Sequence, residues 1–496
     1  MNTTMPFPER IRPLMALRLV AFILSTAVLV GCAAGPDFKP PAPPAVQNYT
    51  SAELPARTAS APEALGGSQR FVPQAPIGSA WWQQFGSPKL NSLIEQALHS
   101  SPTLEAAQAA LRQAQEFYNA QAGSSLYPQI NAQLGAQRQT INLAGMGFNA
   151  AGGNLRTFSL YNTSVGASYN FDLAGGNRRE LEALAAQTDY QRFQLEGARL
   201  TVVANIVTTT ITQAKLAEQL AASEQILAAQ VEQLNIAHQR QVLGNASEAD
   251  VMSLQTQVEQ TRANLVPLRN QLQQANHLLA VLLGQPPGET AMPQFTLAEF
   301  ILPVELPLRV PSELVHQRPD IQAAEALLHV ASAQYGVSLS RLYPQLTLSA
   351  SMGSEALTSA SLFGPGSIVW GLGAQIAQPL FNAGLRPGAR AAEAGFNAAA
   401  ANYRQTVLQA LRNVADVLRA LDNDAQALQA QSSADSSAQR SLELTQQQYR
   451  LGAASYLQLL IAQQQAQQTR ISLTAAQAQR LADTAALYQA MGGGQH

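Results

Sequence analysis

Two hydrophobic periods alternate along the chain, and each occurs twice. From Ile130 the apolar residues Ile130, Ala132, Leu134 and Ala136 take even positions, with Asn131, Gln133 and Gln137 between them. Beyond Ser159 the phase reverses: Tyr161, Val165, Ala167, Tyr169 and Phe171 are odd, while Asn162, Ser164, Ser168 and Asn170 are even. Further on, Leu346, Leu348, Ala350 and Met352 alternate with Gln345, Thr347, Ser349 and Ser351. Ile368, Trp370, Leu372, Ala374 and Ile376 alternate with smaller or polar neighbours. A period of two predicts four strands, paired over about 126–173 and about 342–380. Their polar faces are almost uncharged, and each segment is about the 9–11 residues that a tilted strand needs to cross a bilayer. Such alternation marks a transmembrane β-barrel, with lipid outside and water inside. Four strands cannot close around a lumen, and an open edge in lipid leaves backbone groups unpaired. The barrel is therefore expected to be shared, with three chains supplying about twelve strands.

Helical spacing fills most of the remainder. Helices are predicted at about 88–122 and 312–340, with Pro102 and Pro319 as first-turn residues of new helices. Leu216, Leu220, Leu227, Val231 and Leu234 form a heptad-like seam. The stretch from Arg178 to Leu243 has no proline and reaches roughly 100 Å as a helix. Arg386 to Leu451 is its counterpart, with Pro387 early enough to be a first-turn residue. Each run ends at a Leu-Gly pair, and return helices are expected at about 247–283 and 455–490. Pro267 is expected to kink or interrupt the first of these, making the two hairpins unequal.

The two halves repeat each other. Leu243-Gly244-Asn245-Ala246-Ser247 answers Leu451-Gly452-Ala453-Ala454-Ser455, and the same offset carries Gly176-Asn177-Arg178 onto Gly384-Leu385-Arg386. Leu126-Tyr127-Pro128-Gln129-Ile130 answers Leu342-Tyr343-Pro344-Gln345-Leu346. Each repeat runs helix, strand pair, long helical hairpin. The first covers 81–283, with its hairpin at 178–283, and the second covers 312–490, with its hairpin at 386–490. A Pro-rich segment at 284–311 links them, and 491–496 is a short tail. A duplicated unit that cannot close alone points to repeats set around an axis.

Composition sharpens this picture. Charged residues make up only 12% of the 496 residues, and the net charge of −2 leaves no basic footprint for nucleic acid. Much of the surface must then be polar and uncharged, as subunit contacts or a water-filled lumen require. The single cysteine, Cys32, follows a basic start at Arg10, Arg12 and Arg18 and an apolar run from Leu19 to Val30. That run is short for a transmembrane helix and fits a signal peptide over 1–31. Leu29-Val30-Gly31-Cys32 resembles a lipobox, so Cys32 is the expected lipid attachment point and no other cofactor is expected. Ala33, rather than an aspartate, favours the outer membrane by the bacterial sorting rule. Residues 32–80 then read as a lipid-anchored, extended tether rich in Pro, Ala and Ser. The six histidines, His99, His238, His277, His316, His329 and His496, are scattered without metal-ligand spacing. No phosphate-binding loop or hydrolytic motif has its local context, so no enzyme activity is expected.

With these residues in hand the chain resembles the TolC-like outer membrane factors, in their lipoprotein or NodT branch. The resemblance is carried by Cys32, Gly35-Pro36-Asp37-Phe38, Trp81-Trp82 with Phe85, and the two Leu-Tyr-Pro-Gln runs. Leu279 to Gly284, Arg318-Pro319-Asp320-Ile321 and Tyr449-Arg450-Leu451-Gly452 add to it. It implies a mixed α and transmembrane β fold: a trimeric twelve-stranded barrel, four strands per chain, continuing into a long α-helical barrel. It implies a homotrimer in the outer membrane of a Gram-negative bacterium, meeting a periplasmic adaptor protein and an inner-membrane pump. Such ducts pass small compounds such as drugs or solvents. An exit duct for secreted protein shares the architecture, and a lipid-anchored coiled-coil structural or adhesive protein is the reading from another class. By position, the resemblance places a periplasmic constriction at Leu457, Gln458 and Ile461, with Asp250 as the nearest acid. Relatives carry an aspartate at the position of Gln458 or Ile461, and this chain does not. The expectation is a mouth closed by apolar side chains. Adaptor docking is expected at the turns Leu243, Gly244, Asn245 and Leu451, Gly452, Ala453.

Overall fold

The computed structural model describes residues 33–142, 155–289 and 291–494. The signal peptide and Cys32 lie outside these residues. The elements are β1 (Arg70–Pro73), α1 (Pro88–Ser100), α2 (Pro102–Leu126), β2 (Gln129–Asn142), β3 (Leu155–Phe171), α3 (Gly176–Val242) and α4 (Glu248–Leu282). There follow β4 (Glu305–Leu308), α5 (Pro311–Leu314), α6 (Pro319–Ser340), β5 (Gln345–Ala356), β6 (Ile368–Ala377), α7 (Leu385–Arg450) and α8 (Tyr456–Ala490). The order helix, strand pair, long hairpin thus occurs twice. Pro102 and Pro319 open new helices, where a missing N–H removes nothing the helix would have used. Two compact units divide the chain: residues up to 40 with 112–189 and 325–401, and residues 41–111 with 190–324 and 402–496.

The first unit is built on one antiparallel sheet in the order β2-β3-β5-β6. Its register aligns the period-2 faces of all four strands. Ile130 pairs with Ala167, Ala167 with Ala350, and Ala350 with Leu372. The next row on that face is Ala132, Val165, Met352 and Trp370. Rows of the other face run Gln129, Ser168, Ser349, Gly373 and Asn131, Gly166, Ser351, Gly371. The strands have 14, 17, 12 and 10 residues, so the first pair exceeds the expected length. The excess lies where Arg138 to Asn142 pair with Leu155 to Ser159, beyond the reach of β5 on β3.

The second unit holds the main core. Phe85, Leu90, Ile94, Ile206, Ile211, Phe295, Leu306 and Leu481 are all essentially buried in it. Trp81 stacks on Tyr488 at 5.3 Å between ring centroids. Here the tether departs from the expected extended coil. Its strand β1 pairs in parallel with β4 of the linker, and Leu65 and Ile77 join the core. Gln69 is fully buried: its amide donates to Pro303 O at 2.8 Å and Thr484 Oγ1 at 3.0 Å, and accepts from Arg480 Nη2 at 2.8 Å. The linker likewise contributes Phe295, Leu297 and Phe300 to this core.

Two helical expectations are corrected. Helix α4 continues through Pro267 without interruption, and α4 and α8 both have 35 residues against 67 and 66 in α3 and α7, so the hairpins match in length to one residue. Pro267 is exposed, while Val258, Leu265 and Leu279 of the same helix are buried. The buried stripe of α3 is also not the leucine seam. Leu220, Leu227, Val231 and Leu234 are only half-buried, whereas Leu216, Ser223, Gln230 and Ala237, seven apart, are buried. Small and amide side chains let neighbouring helices approach closely, so size as well as hydropathy decides which face goes inside.

Candidate functional site

Two features of the chain bear on function: the two-faced sheet and the paired turns at the ends of the long hairpins. On the sheet, the apolar face is bare. Ile130, Leu134, Met352, Trp370, Leu372 and Ile376 are each more than 60% exposed. A contiguous apolar patch of this kind on a folded chain marks a surface that meets lipid or another protein. The facing rows are Gln, Asn, Ser and Gly, polar groups that water satisfies without charge. Strands β2 and β6 are the outer strands, with no further strand beside them among the described residues. Among those residues, no helix is long and apolar enough to cross a membrane.

The paired turns repeat atom for atom. Helix α3 ends with Gly244 N–H donating to Gln241 O at 2.9 Å and Asn245 N–H to Arg240 O at 2.8 Å. Helix α7 ends with Gly452 N–H donating to Tyr449 O at 3.1 Å and Ala453 N–H to Gln448 O at 2.8 Å. These reach-back bonds satisfy carbonyls that a helix end leaves free, and they require a left-handed residue. Gly244 and Gly452 supply it, with φ of 73° and 76°. Ser247 and Ser455 then start α4 and α8 with full capping boxes. Leu243 and Leu451 stand out at the turns, 73% and 84% exposed.

The expected constriction residues fall into two kinds. Gln458 and Asp250 are the reciprocal partners in the capping boxes: Gln458 Oε1 accepts from Ser455 N at 2.7 Å, and Asp250 Oδ2 from Ser247 Oγ at 2.8 Å. Gln458 Oε1 and Asp250 Oδ2 are thus engaged in starting helices. Leu457 and Ile461 lie four apart on one face of α8 and are 61% and 57% exposed, while Leu459 and Leu460 beside them are buried. Packing within the protomer therefore uses the alternate face and leaves Leu457 and Ile461 outward.

Arg240 and Tyr456, which the sequence did not single out, join Tyr449 in tying the two hairpins together near the turns. Arg240 of α3 donates from Nη1 to the Tyr449 hydroxyl of α7 at 3.3 Å and lies 5.7 Å from that ring's centroid. Tyr449 meets Tyr456 of α8 edge-on at 6.3 Å. Burial, reinforced by Tyr449 and Asp250, pushes the Tyr456 hydroxyl well above its ordinary range. Together with Ile236, Leu254 and Leu459 they line a cavity of about 310 Å³. The only sequence signal for this pairing was the Tyr-Arg-Leu-Gly run. Among the described residues, no cluster of three or more His, Cys, Asp and Glu is placed to hold a metal.

The outer membrane efflux protein family matches residues 93–285 and 310–493. The pyoverdine export outer membrane protein OpmQ of Pseudomonas putida KT2440 is 33% identical over 429 residues, covering 85% of this chain and 89% of its own. A probable outer membrane lipoprotein of Salmonella typhimurium, SilC, is 28% identical over 479 residues, covering 94% and 96%. Among solved structures, the outer-membrane channel OprN is similar with a TM-score of 0.81 and 25% identity over 93% of this chain and 99% of that one.

Proposed function

The chain belongs to the outer membrane efflux protein family and is an outer membrane protein, and on that premise we propose that it is the passive, homotrimeric duct of a tripartite efflux assembly. The observation that carries this reading is the sheet. Four aligned strands present lipid-compatible side chains on one face and small uncharged polar groups on the other, and among the described residues no further strand pairs with their two edges. In lipid those edges must pair, and β6 of one copy against β2 of the next satisfies them. About twelve strands from three copies then enclose a water-filled lumen. The long hairpins form the periplasmic part, and the exposed turns at Gly244 and Gly452 are the surface for a periplasmic adaptor, behind which an inner-membrane pump supplies the energy.

The cargo is a small compound: relatives are named for the export of pyoverdine, toluene or cations. A polar lumen with few charges suits a conduit whose selectivity lies with the pump. The chain performs no reaction of its own. Cys32 carries lipid, in keeping with the lipoprotein SilC. Leu457 and Ile461, left outward on α8, narrow the periplasmic mouth as an apolar, dewetted constriction.

Single-channel recording in planar bilayers tests the duct. The wild-type trimer is expected to give small, infrequent conductance events. Leu457→Ser with Ile461→Ser is expected to raise the conductance several-fold. A rise absent from a well-folded double variant removes the constriction. No conductance from either trimer removes the duct and leaves a lipid-anchored structural protein.

A further inference from the structure

The residues that follow Cys32 are held far more tightly than a tether requires. Ala34 N–H donates to Ala174 O at 2.8 Å, at the junction between β3 and α3. Arg179, on the first turn of α3, spends its whole guanidinium nearby. Its Nε donates to Ala34 O at 3.1 Å, its Nη2 to Gly35 O at 3.2 Å and Asp37 Oδ1 at 2.7 Å, and its Nη1 to Glu182 Oε2 at 2.7 Å. The arginine is only 4% exposed, while the Asp37 side chain is 89% exposed, so the segment is laid over the arginine from outside. Glu182 reaches on through Oε1 to His329 Nε2 of α6 at 2.8 Å, and Phe38 stacks on the His329 ring at 4.2 Å and 11°. Gly336 of α6 completes the seat, since a Cβ there would fall 2.9 Å from Ala34 O. Burial alone would raise the Glu182 carboxyl, but its bonds from Arg179 and His329 outweigh that and hold it lowered.

We propose that residues 33–38, seated on Arg179, Glu182, His329 and Gly336, are an anchor clasp that fixes the acyl-bearing end of the mature chain at the strand–helix junction. The proposal rests on the reading that Cys32 carries lipid. Ala33 is one peptide unit from the acylated residue, so the clasp sets where the acyl chains enter the inner leaflet to within a few ångströms. A free leash of six residues would let them roam over roughly 12–15 Å. The seat combines α3 of the first repeat with α6 of the second. Docking of the anchor therefore also ties the two repeats together where the strands end, and makes lipid attachment assist barrel assembly rather than only retain the protein.

The test uses the full chain, expressed in a Gram-negative host. Lys39→Cys places a nitroxide label just beyond the clasp, at an exposed residue, in a chain whose only native cysteine is Cys32. A lipidated Cys32 leaves one free thiol to titrate, and labelled palmitate reports the acyl chains. The expected spectrum is immobilised in the Lys39→Cys parent. Arg179→Met is expected to give a predominantly mobile label and to lower the yield of heat-resistant trimer at least threefold with palmitate labelling unchanged. Phe38→Ala removes a contact from the segment side without burying a charge, and is expected to release the label partially even if Arg179→Met fails to fold. Mobility and trimer yield within a few tens of per cent of the parent in either folded variant would overturn the clasp. Two titratable thiols and no palmitate in the parent would instead remove the lipid reading and with it the anchoring role, while label mobility would still report whether the segment is seated.

Discussion

Gln69 and Arg480 offer the sharpest test of how the tether is held in the second unit. Arg480 is 1% exposed, and its Nη2 donates to Gln69 Oε1 at 2.8 Å and Thr58 Oγ1 at 3.2 Å. Gln69→Leu removes that acceptor together with the bonds from Gln69 Nε2 to Pro303 O and Thr484 Oγ1. Each neutral bond contributes about 1 kcal/mol net, and a bond to a charged group about 1.5–3 kcal/mol. Leaving a buried charge without its partner costs about 3–5 kcal/mol. The expected cost to the folded tether is therefore about 3–5 kcal/mol, rather than the full sum, because Thr58 remains. Arg480→Met leaves only a neutral carbonyl unpaired, at about 1–3 kcal/mol. Adding Arg480→Met to Gln69→Leu replaces the pair by apolar groups and should recover part of the loss. Hydrogen exchange at the bonded amides of Thr58 and Arg70 reads this directly. Gln69→Leu should speed their exchange by about 100-fold or more and Arg480→Met by about 5- to 140-fold, with the double variant slower than Gln69→Leu alone; each tenfold is about 1.4 kcal/mol. A change under tenfold for Gln69→Leu, or a double variant worse than it, would refute the reasoning.

Asp483 lies beside Arg480, and burial first, then its hydrogen bond with Asp424, push its carboxyl up to about 8. The folded state holds this proton where the unfolded chain has lost it, so the contribution of Asp483 to stability is full below the ordinary carboxylate range and is lost as pH rises through about 8. Asp483→Asn should flatten that part of a plot of Tm against pH; an unchanged slope would exclude Asp483 as its source. On the sheet, Met352→Arg places a charge on the apolar face and should cost about 2–4 kcal/mol if it lies near the bilayer midplane, seen as lost trimer. Ser351→Arg, one residue earlier and on the polar face, should assemble and lower cation conductance; equal effects of the two would contradict the assigned faces. Gly452→Ala forces a Cβ into a left-handed site, with nothing among the described residues within 4 Å of it. It should cost about 1–2 kcal/mol through backbone conformation alone, read as faster exchange at Ala453.

Local rules made much of this protein legible. Period-2 alternation located the four strands and both their faces, because neighbouring side chains on a strand must point to opposite sides. The Leu-Gly pairs and the serines after them located the hairpin turns, since a left-handed residue and a capping hydroxyl are needs of a few consecutive residues. Leu457 and Ile461 were placed on one face by helical spacing, and that face proved to be outward. What the sequence hid was settled by contacts between distant residues. Arg179 and Asp37 are 142 positions apart, and Arg480 and Gln69 are 411 apart. No window along the chain can show that a Pro-rich tether will satisfy a buried guanidinium. Ser223, Gln230 and Ala237 took the buried stripe where Leu220, Leu227 and Leu234 stayed half-buried, and Pro267 stayed inside a continuous helix at an exposed position. Periodicity, turn chemistry and duplication are written in the sequence; which groups meet across hundreds of residues is decided only when the chain has packed.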